Sequence, residues 1–198
     1  MMMLLADIPR GTKVLIHICC APDASYGMRA LRERFDVTGF FYNPNIHPGE
    51  EFRKREQAAL ELQRKDPFPL ILGSGGEAAW EDAVRGLEGE PERGRRCEAC
   101  IRFRLRETAR KAAELGMPAF GTVLTVSPKK DAAMVNRVGM EVERLPGVRF
   151  VAADLKKRDG YLQSVRLCRE MGIYRQRYCG CRYSLPEDPD RSPQKTVD

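Results

Sequence analysis

The sequence predicts a single α/β domain on a mostly parallel sheet of about five strands, flanked by helices. Short apolar segments rich in β-branched or aromatic residues alternate with amphipathic segments of helical spacing, without an internal repeat or a linker. With 198 residues, 42% of them hydrophobic, the chain is large enough for one core. We expect residues 1–185 to form this domain, and residues 186–198, rich in proline, to be a disordered tail.

The first half of the chain predicts three strand–helix units. The segment KVLIHI predicts the first strand, and the segment after it places Met28, Leu31 and Phe35 at helical spacing. The second strand, VTGFFY, is ended by the breaker NPN, and a long charged helix follows. In chain order, the predicted elements are residues 13–18, 22–34, 37–42, 48–65, 68–72 and 77–87.

The second half continues the alternation, starting with a helix that carries Cys97 and is stopped by Gly116 and Pro118. The apolar runs AFGTVLTV and VRFVA predict the last two strands, and Gly172 follows the final helix. In chain order, these elements are residues 97–115, 119–126, 130–144, 148–152 and 160–170.

The end of each predicted strand marks the expected site. Ligands of open α/β sheets bind beyond the carboxyl ends of the strands. Cys19, Asn43, Gly73 and Ser127 follow the first four strands directly or closely. We therefore expect a site formed around these four residues.

Charge and hydropathy indicate a cytoplasmic protein with a polyanionic partner. The formal net charge is +6, and basic residues cluster in segments 93–114 and 156–182. No apolar run approaches the ~18 residues of a membrane span, and the N-terminus lacks a secretory leader pattern, so we expect no membrane association. Because the cytosol is reducing, the seven cysteines favour metal or redox chemistry over permanent disulfides.

Six of the seven cysteines form close pairs. The pairs are Cys19-Cys20, Cys97-x-x-Cys100 and Cys179-Gly-Cys181. The first pair follows a strand, the second opens a helix whose dipole lowers thiol pKa, and the third lies in a glycine turn. Four to six thiolates at an open sheet edge suit an iron–sulfur cluster. A structural zinc held by the second and third pairs is the alternative interpretation.

Four other residues have both a functional and a structural interpretation. Asp23 is near enough to Cys20 to reach the same pocket, although it can equally cap the first helix. Cys168 lies inside a helix and is interpreted as a core residue. His17 and His47 are interpreted as structural residues rather than as metal ligands.

Five motifs in order give the chain a family resemblance. They are HICCAP from residue 17, FYNPNI from residue 41, RRCxxC from residue 95, TVSP from residue 125 and YRQRYCGC from residue 174. Together they resemble the QueH family of epoxyqueuosine reductases between residue 14 and about residue 184.

The resemblance implies an oxidoreductase that catalyses the last step of queuosine synthesis on tRNA. The epoxide of epoxyqueuosine at the wobble position would be reduced to an alkene. It also implies a Rossmann-like HUP-type fold, a [4Fe-4S] cluster, an additional mononuclear iron and no cobalamin. The partners would be the anticodon stem–loop of a tRNA with a queuosine-type anticodon, bound through the basic segments, and an unidentified electron donor.

Carried over by position, the resemblance also implies roles for particular residues. The implied cluster ligands are Cys19, Cys20, Cys97 and Cys100. Cys179 and Cys181 become either ligands of the second metal or a redox-active dithiol. Asp23 replaces the third cysteine of a common family pattern, CCAPC, and as a carboxylate it suits the second iron. Tyr178, Asp23 or a bound water would protonate the leaving oxygen.

Two further functions compete with this interpretation. An ATP-dependent tRNA sulfurtransferase of the PP-loop type would also combine an α/β sheet, cysteines and basic charge. That family has a glycine-rich phosphate loop after the first strand, where this chain has Cys19-Cys20-Ala21-Pro22. A zinc-stabilised nucleic-acid-binding module without catalysis would need only one tetrahedral zinc.

Overall fold

A computed structural model describes residues 8–143 and 147–185, so the predicted tail at 186–198 lies outside the described residues. The strands are β1 (Lys13–Ile18), β2 (Asp36–Phe41), β3 (Leu70–Leu72), β4 (Ala119–Thr122) and β5 (Arg149–Phe150). They form one sheet in the order β3-β2-β1-β4-β5, in which every neighbouring pair is parallel. The predicted α/β class and five-stranded parallel sheet are confirmed.

Helices cover both faces of this Rossmann-like sheet. They are α1 (Ala21–Arg32), α2 (Gly49–Lys65), α3 (Glu77–Val84), α4 (Arg95–Glu114), α5 (Ala132–Val142) and α6 (Gly160–Glu170). Alternate residues of β1 enter opposite layers: Val14 and Ile16 pack with α1, α2 and α6, whereas Leu15 packs with α4 and α5. Both faces of β1 are therefore buried, which explains why its sequence is almost continuously apolar.

Several predicted boundaries shift in the structure. β4 ends at Thr122 rather than at residue 126, because the Thr122 hydroxyl accepts the Leu124 N–H and the chain turns into a short 3₁₀ helix, Leu124–Val126. α5 begins two residues later than predicted, since the carboxylate of Asp131 caps it by accepting the Ala133 N–H at 2.9 Å. β1 and α6 have the predicted bounds.

The structure supports the structural interpretation of three residues. Cys168 lies on α6 and is buried in the core layer that α1, α2 and α6 form on one face of the sheet. His17 is fully buried, and its ring nitrogens lie 3.1 Å from Thr122 Oγ1 and 3.2 Å from the Tyr42 carbonyl oxygen. His47 is exposed, and its backbone N–H and carbonyl oxygen both form hydrogen bonds within the described residues. Among the described residues, no helix has the length and apolar character needed to cross a bilayer.

Candidate metal centre

A pocket of about 120 Å³ opens at the carboxyl ends of β1 and β4. Here the strand order reverses: the chain runs outward from β1 through β2 to β3 on one side, and through β4 to β5 on the other. Residues from several elements line it, among them Cys19, Asp23, Arg104, Ser127, Lys130 and Cys179. Gly73 was expected at this site, but it follows the edge strand β3 and packs near Phe40 and Tyr42 instead.

Cys19, Cys20 and Asp23 form one compact donor group at the start of α1. Their sulfur and carboxylate atoms all lie within 4.8 Å of one another. The Cys19 Sγ donates to Asp23 Oδ2 at 3.3 Å and lies 3.7 Å from the Cys20 Sγ. In the part of the chain that the structure describes, no backbone N–H donates to the Asp23 carboxylate. The structure therefore does not support Asp23 as the cap of α1. One carboxylate with two thiols is a donor set that suits iron.

The ionisation of this group is governed by burial. Burial raises the pKa of Asp23 to about 6, although hydrogen bonds from Cys19 and Cys20 and the charge of Lys130 act against the rise. The hydrogen bond with Cys20 and burial raise the pKa of Cys19. In the metal-free protein, Cys19 is therefore a protonated thiol at neutral pH, and a metal that binds there must displace its proton.

The other two cysteine pairs line a second cavity, which also borders Arg104. It is small, about 10 Å³, and we call it the enclosed cavity because its lining residues are mostly buried. Cys97 and Cys100 lie in the first turns of α4, and Cys179 and Cys181 face them from the loop after α6. Cys179 borders both this cavity and the open pocket, so it connects the two donor groups. The fold thus brings all three sequence pairs to one region.

The pKa of Cys97 is raised, although the dipole of α4 was expected to lower it. Burial raises the pKa of Cys97, although the Arg93 N–H donates to its sulfur at 3.2 Å. Cys179 is the acidic thiol of this group: a hydrogen bond from Cys181, together with Lys130 and Arg104, lowers its pKa well below the usual range. The Lys130 ammonium donates to Cys179 Sγ at 3.0 Å. We therefore assign the thiolate to Cys179 and the proton to Cys181, whose pKa is raised.

Helix α2 holds the Cys179-Gly180-Cys181 turn through a buried ion pair. Arg55 donates to the carbonyl oxygens of Tyr178 and Cys179 at 3.0 Å each, and its Nε donates to Glu51 at 2.7 Å. The Tyr174 hydroxyl donates to the other Glu51 oxygen at 2.8 Å. Sequence reasoning missed Glu51 and Arg55, because an i,i+4 Glu–Arg pair on a charged helix resembles a solvated pair. Only their burial in the fold distinguishes them.

The other side of the turn contacts the loop after β2. The His47 N–H donates to the Gly180 carbonyl oxygen at 2.7 Å, and the Tyr178 hydroxyl donates to the His47 carbonyl oxygen. The Arg55 guanidinium also stacks on the Tyr178 ring, 5.3 Å from its centroid. Tyr178 thus lines the pocket, while its hydroxyl bonds to the backbone of another loop. Its predicted role as a proton donor would require that bond to break.

Gly180→Ala is expected to disrupt this turn and the metal site that depends on it. Gly180 has φ +110°, a conformation that L side chains rarely adopt, and an added Cβ would lie 2.8 Å from Arg55 Nη1. We expect bound iron to fall severalfold, measured after anaerobic reconstitution. Gly172→Ala is the matched control: it has φ +61° but open space around the added Cβ, so iron content should be retained. Equal iron in both variants would contradict this assignment.

Two sequence comparisons, with family models and with known proteins, agree on one family. The family model for "Epoxyqueuosine reductase QueH" matches residues 14–187. A protein of that name from Streptococcus pyogenes serotype M1 is 40% identical over 179 residues, which is 86% of this chain and 69% of the relative. Another from Thermotoga maritima is 39% identical over 177 residues, covering 88% of this chain and 91% of the relative.

A comparison with solved structures identifies the same fold at low sequence identity. It matches the U34-tRNA thiolase NcsA from Methanococcus maripaludis, determined with its [4Fe-4S] cluster, at a TM-score of 0.53 and 12% identity. The match covers 84% of this chain and 59% of that chain. At this identity the likeness concerns the fold alone.

Proposed function

The chain belongs to the epoxyqueuosine reductase QueH family, and we propose that its clustered cysteines and Asp23 hold the iron needed for its reaction. The protein is an oxidoreductase, and its substrate is epoxyqueuosine in tRNA. Conversion of the epoxide to the alkene of queuosine breaks both carbon–oxygen bonds. It consumes two electrons and two protons and releases the oxygen as water. Because the chain belongs to this family, the reductase reaction is favoured over the ATP-dependent sulfurtransferase and the zinc-stabilised binding module.

We assign the [4Fe-4S] cluster to the enclosed cavity. Its proposed ligands are Cys97, Cys100, Cys179 and Cys181. A donor set of thiols alone suits such a cluster. Two buried donors among the residues that line the cavity, Trp80 Nε1 and Arg96 Nε, have no hydrogen-bond partner among the described residues. Unpaired buried N–H groups are costly, and cluster sulfur atoms are acceptors that would satisfy them.

We assign the additional iron to the open donor group of Cys19, Cys20 and Asp23. The single observation that carries this proposal is the convergence of their three ligand atoms within 4.8 Å. This division differs from the one implied by the resemblance, which gave Cys19 and Cys20 to the cluster. When bound, the cluster would supply electrons singly, and the iron would act as a Lewis acid on the epoxide oxygen. As the family resemblance implies, we propose that the reaction does not use cobalamin.

The residues around the pocket would bind and orient the modified nucleotide. Lys129, Arg175 and Arg177 line the pocket beside Tyr161 and Tyr178. We propose that the basic side chains contact phosphates of the anticodon stem–loop, while the wobble nucleotide is turned out of its stack into the pocket. The buried walls of the site would limit water access to the reacting ring.

The test of the function is a single-turnover assay on anaerobically purified protein. Iron, labile sulfide and zinc are measured first, with an absorption spectrum. The protein is then reduced with dithionite and mixed with tRNA that contains epoxyqueuosine. Nucleoside mass spectrometry should show the loss of one oxygen from the modified base. A colourless protein with one zinc and no labile sulfide after reconstitution would overturn the proposal.

The single tryptophan reports where the cluster binds. Trp80 is buried and lines the enclosed cavity with Cys97, Cys100 and Cys181. An iron–sulfur cluster absorbs broadly across the range of indole emission, so cluster loading should quench the fluorescence of Trp80 severalfold. Emission is measured before and after reconstitution, with Cys181→Ser as a control that should remain bright. Full loading without quenching would place the cluster elsewhere.

A further inference from the structure

We propose that Arg104 is a positioning residue whose buried positive charge raises the reduction potential of the metal centre. The inference rests on the proposed function, because it requires a thiolate-bound cluster in the enclosed cavity. It assigns a separate task to a side chain that binds no iron.

Arg104 occupies the wall between the two donor groups. It lies on α4, is 2% exposed, and borders both the open pocket and the enclosed cavity. Its Nε donates to the Cys100 carbonyl oxygen at 3.3 Å, and its Nη1 lies 3.5 Å from Asn43 Oδ1. Asn43 is itself held by its donation to the Ile18 carbonyl oxygen at 2.9 Å. The guanidinium is thus anchored from α4 and from the end of β2.

The charge of Arg104 lacks a carboxylate partner. No ion pair among the described residues includes Arg104, whereas the equally buried Arg55 is paired with Glu51 at 2.7 Å. A buried charge without a counter-charge is strongly unfavourable. The negative charge that favours the charged form of Arg104 comes from sulfur: from the Cys179 thiolate in the metal-free protein, and from Cys19, Cys100, Cys179 and Cys181 when they bind metal. The counter-charge that the fold provides is therefore the sulfur ligand set itself.

A fixed buried cation affects the two redox states unequally. When the cluster takes up one electron, its negative charge increases by one, and no bond to the protein forms or breaks. Arg104 stabilises the more negative state more strongly, and burial leaves this interaction largely unscreened by salt. Its removal should therefore lower the reduction potential. Lys130 has the same sign of charge, but it donates directly to Cys179 Sγ, so its substitution would also change a proposed ligand.

Arg104→Gln is the test, and the potential is the readout. The full chain is reconstituted anaerobically, and the cluster is titrated with dithionite while its paramagnetic reduced form is followed by electron paramagnetic resonance. We expect the equilibrium constant for reduction to fall at least tenfold, a shift of about 59 mV to more negative potential. Arg104→Lys, which keeps a charge, should remain near the wild-type potential. Arg106→Gln removes an exposed charge from the same helix and should change nothing.

Each outcome separates this inference from the proposed function. An Arg104→Gln protein with full iron and sulfide and an unchanged potential would overturn the inference and leave the proposed function intact. A wild-type protein that holds no cluster would overturn the proposed function first. If the glutamine variant loses the cluster, retention by Arg104→Lys supports a role for the charge. Loss in both variants would show that Arg104 is needed only for packing.

Discussion

Cys181→Ser is expected to yield a folded but nearly colourless protein that has lost most of its iron and labile sulfide. Cys181 is buried and faces the enclosed cavity with Cys97, Cys100 and Cys179. A serine hydroxyl has a far higher pKa than a thiol and lacks its soft sulfur, so it is a much weaker ligand for cluster iron. Reduction of epoxyqueuosine should fall by more than about 100-fold, the upper range for lost support of a metal site. Iron and sulfide analysis and the nucleoside assay measure both effects.

Cys168→Ser is the matched control for this prediction. Cys168 is also buried but lies on α6, where its Sγ donates to Ser25 Oγ at 3.7 Å. It lines neither the pocket nor the enclosed cavity. The variant should keep its iron, sulfide and activity, at a modest cost in the free energy of unfolding. If Cys181→Ser retained a full cluster, Cys181 would not be a ligand, and the division with Cys19 and Cys20 on the cluster would be favoured.

Asp23→Asn is expected to remove one iron while leaving the labile sulfide unchanged. The substitution keeps the size of the side chain but removes the charge that, together with Cys19 and Cys20, would hold the additional iron. We expect epoxyqueuosine reduction to fall by more than about 100-fold. Trp80 fluorescence should stay quenched, because the cluster cavity is untouched. Iron-to-sulfide ratios and the single-turnover assay are the measurements.

Asp131→Asn provides the control for Asp23→Asn. The Asp131 carboxylate caps α5, and asparagine caps helices about as well as aspartate. This variant should therefore keep its stability, iron content and activity. An Asp23→Asn protein with its full iron content and normal turnover would show that the additional iron is held by other residues or is not needed.

Most of the fold could be predicted from the sequence, because its elements have strong local signals. The first strand is apolar on both faces, as expected for the centre of a parallel sheet, and its bounds are those predicted. The end of β4 could not be predicted, because the apolar run continues to residue 126. A side-chain hydrogen bond of Thr122 ends the strand earlier, and residues 124–126 form a short 3₁₀ helix instead. A hydropathy pattern does not show where a side-chain hydrogen bond will replace the backbone hydrogen bonds of a strand.

For the site, the sequence by itself determined which residues are the candidate metal ligands. Three cysteine pairs and Asp23 after the first pair were sufficient to predict a metal centre, because thiolates at such spacings are selected for binding rather than for packing. The family motifs around them predicted the reaction, and the comparisons confirm that family.

Only the tertiary structure decided how these residues are grouped and supported. Residues 97–100 and 179–181 are separated along the chain but line one cavity, and Arg104 lies between them and the group at Asp23. The proposed roles of the Arg55–Glu51 pair and of Arg104, whose charge has no carboxylate partner among the described residues, follow from their burial. Burial strengthens electrostatic interactions by excluding water, and it depends on contacts between segments distant in sequence. Those contacts cannot be predicted from local sequence patterns.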